Sequence, residues 1–198
     1  MRKTFALFGL LGMLSLSSFA DDIRLGNPAY GGSGCPAGSA SAALSPDSKS
    51  LSILFDQFSA NAGGSTRLQA DRKSCNIAIP VHVPQGMTVS IFKIDYRGFN
   101  NLPYGAQSMF NVEYFFAGTR GPGFRKTFNG PLSTDYLLSN DLMGQATTWS
   151  PCGQDVLLRA NTSMFTRTNS SFQEAMSTVD SMDIKSGIVY HLSWQSCH

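Results

Sequence analysis

Asp95, Tyr96 and Arg97 put an acid, a phenol and a base in consecutive positions, with Gly98 behind them. Proton transfer, ion pairing or ligand contact could each use such a set. Alternation narrows the choice. Phe92, Ile94 and Tyr96 alternate with Ile91, Lys93 and Asp95, which is the two-residue period of a strand. Asp95 and Arg97 then share one face, and Tyr96 joins Phe92 and Ile94 on the other. A regular strand cannot converge them as a local triad. The spacing predicts an exposed Asp95–Arg97 ion pair, worth about 0–1 kcal/mol, with Gly98 releasing the chain into a loop over 99–105. Asp95, Arg97, Phe99 and Tyr104 stand as ligand-contact candidates, together with Trp149.

Other chemistries find little support. There is no Gly-x-Ser-x-Gly elbow for a serine nucleophile. Of the three histidines, His82 and His191 fall mid-strand on outward faces, and His198 is terminal. No His-Glu-x-x-His or calcium loop occurs, so no metal or other cofactor is expected. A glycosidase needs two carboxyl groups about 5–9 Å apart. Asp71, Asp95, Glu113, Asp135 and Asp180 are available, but spacing selects no pair. No catalytic residue is assigned. Phe99, Tyr104, Phe115, Phe124 and Trp149 lie near turns or off the inferred core faces, where rings could stack on a sugar. Asn161-Thr162-Ser163 and Asn169-Ser170-Ser171 fit the N-glycosylation acceptor pattern, which matters only in a eukaryotic secretory route.

These residues need strands to position them. Ile77, Ile79, Val81 and Val83 alternate with Asn76, Ala78, Pro80 and His82, and similar runs occupy 111–116 and 188–194. Trp194 keeps step with Ile188, Tyr190 and Leu192 and is placed in the core. Ser45-Pro46-Asp47-Ser48, Pro84-Gln85-Gly86 and the Gly-rich 118–123 read as turns. About nine or ten strands are expected, forming an all-β antiparallel β-sandwich, jelly-roll-like winding included. Pro80 cannot donate to a ladder, so its strand should be at an edge or bulged. Residues 59–71 read as a surface loop. A short helical turn is expected near 136–143, and residues 21–34 as irregular.

Residues 1–20 read as a signal peptide. Arg2 and Lys3 precede an apolar run from Phe5 to Leu16, with small residues at the −3 and −1 positions of a cleavage after Ala20. The run is shorter than the ~20 residues of a membrane span. The expected location is secreted or periplasmic, with residues 35–198 as one domain. Cleavage lowers the 15 basic residues to 13, equal to the 13 acidic ones. A neutral chain has no net electrostatic drive toward nucleic acid or anionic lipid. The four cysteines, Cys35, Cys75, Cys152 and Cys197, read as two disulfides in an exported chain. Strands at 39–44, 51–58 and 75–83 running up, down and up would bring Cys35 to Cys75. That leaves Cys152 with Cys197, although four cysteines allow three pairings.

Several motifs occur in a recognisable order. They are "GSGCPAGSASAALSPDSKSLSILFDQF" at 32–58, "DRKSCNIAIPVHVPQG" at 71–86, "DYRGF" at 95–99, "WSPCG" at 149–153, "VDS" at 179–181 and "YHLSWQSC" at 190–197. Together they resemble the secreted domain-of-unknown-function family 4360 of bacteria and fungi. The resemblance implies an exported, cysteine-containing, all-β domain and brings no activity with it. The function expected first is a binding module for a glycan or a cell-surface protein. A hydrolase with an unrecognised acid pair and a structural extracellular protein are the alternatives. A shallow exposed patch favours binding; a deep cleft with facing carboxylates favours hydrolysis.

Overall fold

Strands with one apolar face need a second apolar surface to cover it, and two sheets provide that for each other. The computed structural model describes residues 22–116, 118, 121–142, 149–179 and 187–197. In chain order the strands are β1 (Arg24–Leu25), β2 (Ala29–Gly31), β3 (Ala40–Leu44), β4 (Ser50–Phe55), β5 (Ser59–Ala62), β6 (Ala70–His82) and β7 (Met87–Leu102). They continue with β8 (Gln107–Phe116), β9 (Gly123–Asn129), β10 (Leu132–Asp141), β11 (Val156–Arg167), β12 (Ala175–Thr178) and β13 (Ile188–Ser196). Every pairing is antiparallel.

The first sheet runs β1–β6–β11–β8–β9, with β2 also on β6. The second runs β3–β4–β13–β7–β12–β5, with β10 on the far side of β7. Ile79, Phe110, Leu158 and Met164 of the first sheet face Ile53, Phe55, Tyr96 and Tyr190 of the second, all almost fully buried. The Tyr96 ring stacks on Phe124 at 5.1 Å and meets Phe110 edge-on at 5.1 Å. Each such side chain contributes roughly 1.5–3 kcal/mol through burial. The all-β sandwich is therefore the fold, with more strands than the nine or ten expected.

The additional strands are short or lie at edges. Residues 24–25 and 29–31 pair with β6, so the stretch expected as irregular carries two short strands. The expected loop at 59–71 holds β5, a 3-10 turn over Gly64–Thr66 and the start of β6. In place of a helical turn, Leu132–Asp141 pairs along β7 and Leu142 follows it, buried in the core; residue 143 lies outside the described residues. The loop at 99–105 starts late, because β7 continues to Leu102. Gly98 lies inside that strand for a steric reason. A Cβ there would stand 2.1 Å from the Thr178 carbonyl oxygen and 2.3 Å from the Tyr136 hydroxyl.

Phe92 is not on the Tyr96 face. Lys93 pairs with His191 and Ile91 with Leu192, so Phe92 is the extra residue of a bulge that turns it outward beside His191. Trp194 is half-buried at the rim of the core, donating its Nε1–H to the Ser48 carbonyl at 2.9 Å. Pro80 sits where β6 is flanked by the connection between β1 and β2. Its carbonyl accepts from Gly26 there, and no donor is missed. The strand is thus edge-like at that residue although it is inside the sheet.

Cys35 is bridged to Cys75 and Cys152 to Cys197, with Cα separations of 5.4 and 5.8 Å. The first bridge joins the segment before β3, in the second sheet, to β6 in the first, so it ties the layers together. The second clasps the chain end to the entry of β11. Among the described residues no helix is long and apolar enough to cross a membrane. The signal peptide lies outside the described residues.

Candidate functional site

The outward positions of each sheet follow from register. On the second sheet they include Lys93, Asp95, Arg97 and Phe99 of β7, opposite Asp141, Ser139, Leu137 and Asp135 of β10. His191 of β13 stands across from Lys93 on the other side. Asp95 is the hub. Ser139 donates its hydroxyl to Oδ1, His191 approaches Oδ2 with Nε2 at 2.7 Å, and Lys93 Nζ lies 3.3 Å from Oδ1. Arg97 is not the partner of Asp95. Its Nε is buried without a hydrogen-bond partner among the described residues.

This cluster is internally satisfied. Burial raises the Asp95 carboxyl, but the Ser139, His191 and Lys93 donors outweigh it and hold the group below the usual carboxylate range. It remains an acceptor, unsuited to donate a proton. Ser139, Asp95 and His191 resemble a catalytic trio only by type. The serine proton is committed to the carboxylate and not to the imidazole, the reverse of the order a nucleophile needs. His82 makes a similar pair with Asp155, Nδ1 to Oδ1 at 2.7 Å.

The sequence-flagged residues do not assemble. Tyr104, 80% exposed, is at the turn after β7. Trp149, 37% exposed, precedes Ser150, which bonds Val89 near the start of β7. The thirteen steps from Val89 to Leu102 put those two residues at opposite ends of β7, some 40 Å apart along the strand at ~3.3 Å per step. Phe99 is half-buried on the second sheet's outer face, Phe115 half-buried on the first sheet's, and Phe124 packs inward on Tyr96. Asp71 bonds Asn61 N and Lys73, away from Asp95, Glu113 and Asp135; Asp180 lies outside the described residues. Asn161 is mid-strand in β11 between β6 and β8, and Asn169 donates its amide to the Tyr104 carbonyl and to Gln173. Among the described residues no three His, Cys, Asp or Glu side chains converge as a metal site.

The open polar surface is the outer face of the first sheet. Asn76, Asn161, Glu113 and Gly123 form one cross-strand row, and Ser74, Ser163, Asn111 and Arg125 the next. Gly123 has no side chain opposite Glu113, so the face dips at that edge into a shallow notch of about 370 Å³. Asn111, Glu113, Arg125 and Asn161 line it, with the backbone of β9. Arg125 Nε donates to Asn111 Oδ1 at 2.6 Å and fixes that amide. A carboxylate, two amides and a guanidinium offer acceptors and donors together, the set that pairs with vicinal hydroxyls. A larger depression between Asp22, the Pro46–Ser48 turn and Pro84–Met87 is less available. Its Asp47 carboxylate already accepts from the Ser45 hydroxyl and the Lys49 amide, which lower its pKa.

Sequence reasoning missed the notch. Its side chains come from β8, β9 and β11, of which only β8 and β9 are consecutive in the sequence, and register aligns Asn161 of β11 with them. The available signal was that Asn111, Glu113 and Asn161 occupy the polar half of alternating runs.

A family model and a relative each match most of the chain. A family model described as "Domain of unknown function (DUF4360)" matches residues 21–197. A protein of Arthroderma benhamiae (strain ATCC MYA-4681 / CBS 112371), described as an uncharacterized secreted protein, is 33% identical over 178 residues. The match covers 89% of this chain and 73% of that protein. A carbohydrate-binding module solved with β-1,4-galactotriose aligns over 86% of this chain and 88% of its own at 7% identity. The TM-score is 0.32, too low to inform fold or ligand.

Proposed function

This chain belongs to the DUF4360 family, and from that premise we propose that it is an exported binding module that takes an extracellular saccharide on the outer face of its first sheet. One observation carries the reading. The Asn111–Glu113–Gly123–Arg125–Asn161 notch is shallow, open and lined by paired donors and acceptors. The Asp95 cluster, by contrast, spends its polar groups on itself. Export is supported by the two disulfides and by the secreted relative. Processing is expected after Ala20, by the signal-peptide pattern.

Glycan-array binding of the exported chain tests the reading, with Gly123→Leu as the paired variant. A Cβ at Gly123 meets only ordinary contact, 3.5 Å from the Val112 carbonyl oxygen, so the leucine fills the notch without forcing the backbone. The expected outcome is at least one saccharide bound by the native chain and released by the variant. No binding across the array, or equal binding by both, counts against it.

A further inference from the structure

We infer that the saccharide taken by this face is an anionic polymer, read by arginines that surround the notch. The inference rests on the saccharide reading above and names its ligand class. Outward positions of β6, β8, β9 and β11 carry Arg72, Arg125, Arg159 and Arg167, all exposed, against a single acid, Glu113. Among the described residues none of the four guanidinium groups lies within ion-pair distance of a carboxylate. Arg125 uses Nε on Asn111, and Arg72 reaches Ser163 Oγ at 3.4 Å, which leaves further N–H groups of each guanidinium unspent.

The mature chain's balance of acids and bases hides a separation. The outer face of the second sheet sets Lys93 and Arg97 against Asp95, Asp135 and Asp141. The first sheet's face is the cationic one. Its positions also have the right extent for a chain. Arg159 and Arg167 are eight residues apart on β11 and so about 26 Å apart along the strand, with Asn161 and Ser163 between them. One sugar cannot touch both, whereas several linked acidic sugars can. Guanidinium pairs with carboxylate or sulfate in a planar, two-pronged geometry that ammonium cannot reproduce. A nucleic acid would want exposed rings for its bases, and the outward rings here, Phe115 and Phe165, are half-buried.

Calorimetric titration of the full exported chain tests this. The probes are polygalacturonate, its carboxyl-reduced uncharged counterpart, dextran sulfate, uncharged dextran and single-stranded poly(dT), at low and at physiological salt. An anionic polysaccharide should bind at least about tenfold tighter than its uncharged counterpart, with affinity falling as salt rises. The carboxylate and sulfate arms show which anion is preferred. Arg159→Gln with Arg167→Gln should weaken that binding by about tenfold or more at unchanged melting temperature. Asp95→Asn should bind as the native chain does. Equal affinity for charged and uncharged forms overturns the anionic inference and leaves the saccharide reading standing. Poly(dT) bound as tightly as any saccharide overturns it as well, since the face would then be a general polyanion surface. No binding to any polysaccharide defeats both readings.

Discussion

Asp95 illustrates how a residue that looks reactive in sequence becomes structural once its neighbours are known. Three donors from three strands converge on its carboxylate, so it links β7 to β10 and β13. Its carboxyl titrates below the ordinary value in the folded chain, because the donors outweigh the burial that raises it. A depressed folded value means the stabilisation is fully present above the unfolded value, about 4, and is lost as pH falls through the folded one. Asp95→Asn is therefore expected to cost about 1–2 kcal/mol near neutral pH. Urea denaturation should show the gap between variant and native chain shrinking at pH values below the ordinary carboxylate range. A gap that stays constant with pH would contradict the role given to the charge.

Among elements, β7 does the most positioning. It carries Asp95 outward and Tyr96 inward, and it borders β10 on one side and β13 and β12 on the other. Its passage beside Thr178 requires glycine at 98. Gly98→Ala should destabilise the fold by about 2–4 kcal/mol, because the clashing atom is a backbone oxygen that cannot swing away. Thermal denaturation checks this, and a melting temperature equal to the native one would refute it. Strands buried on one side and open on the other were legible from alternation: Ile77 to Val83, Val112 to Phe116 and Ile188 to Leu192 all face the core as read. What failed had local causes. β10 is an edge strand whose inward residues are Tyr136, Leu138 and Asn140, too mixed to mark a period. Phe92 was misplaced because a bulge shifts the parity of everything before it. The notch left only a faint trace, polar residues in the outward half of alternating runs, since its assembly depends on which residues of β8, β9 and β11 fall in register.

Across the whole molecule, two bridges and two sheet faces divide the work. The Cys35–Cys75 and Cys152–Cys197 loops span 40 and 45 residues. Closing loops of that size contributes on the order of 3–4 kcal/mol each by restricting the unfolded chain. Reductant should lower the melting temperature clearly, and identical melting with and without it would contradict that contribution. The sandwich gives the bridges a rigid body to hold and leaves its two outer faces unlike: one closed on itself around Asp95, one open and arginine-rich around the Gly123 notch. The most direct measurement is a heteronuclear NMR titration of the isotope-labelled mature chain with an anionic oligosaccharide. Shifts centred on the amides of Asn111, Glu113, Gly123, Arg125 and Asn161 are the predicted result. Shifts centred on the Asp95 face, or on the ends near Tyr104 and Trp149, would contradict the assignment of the first sheet's outer face as the binding surface.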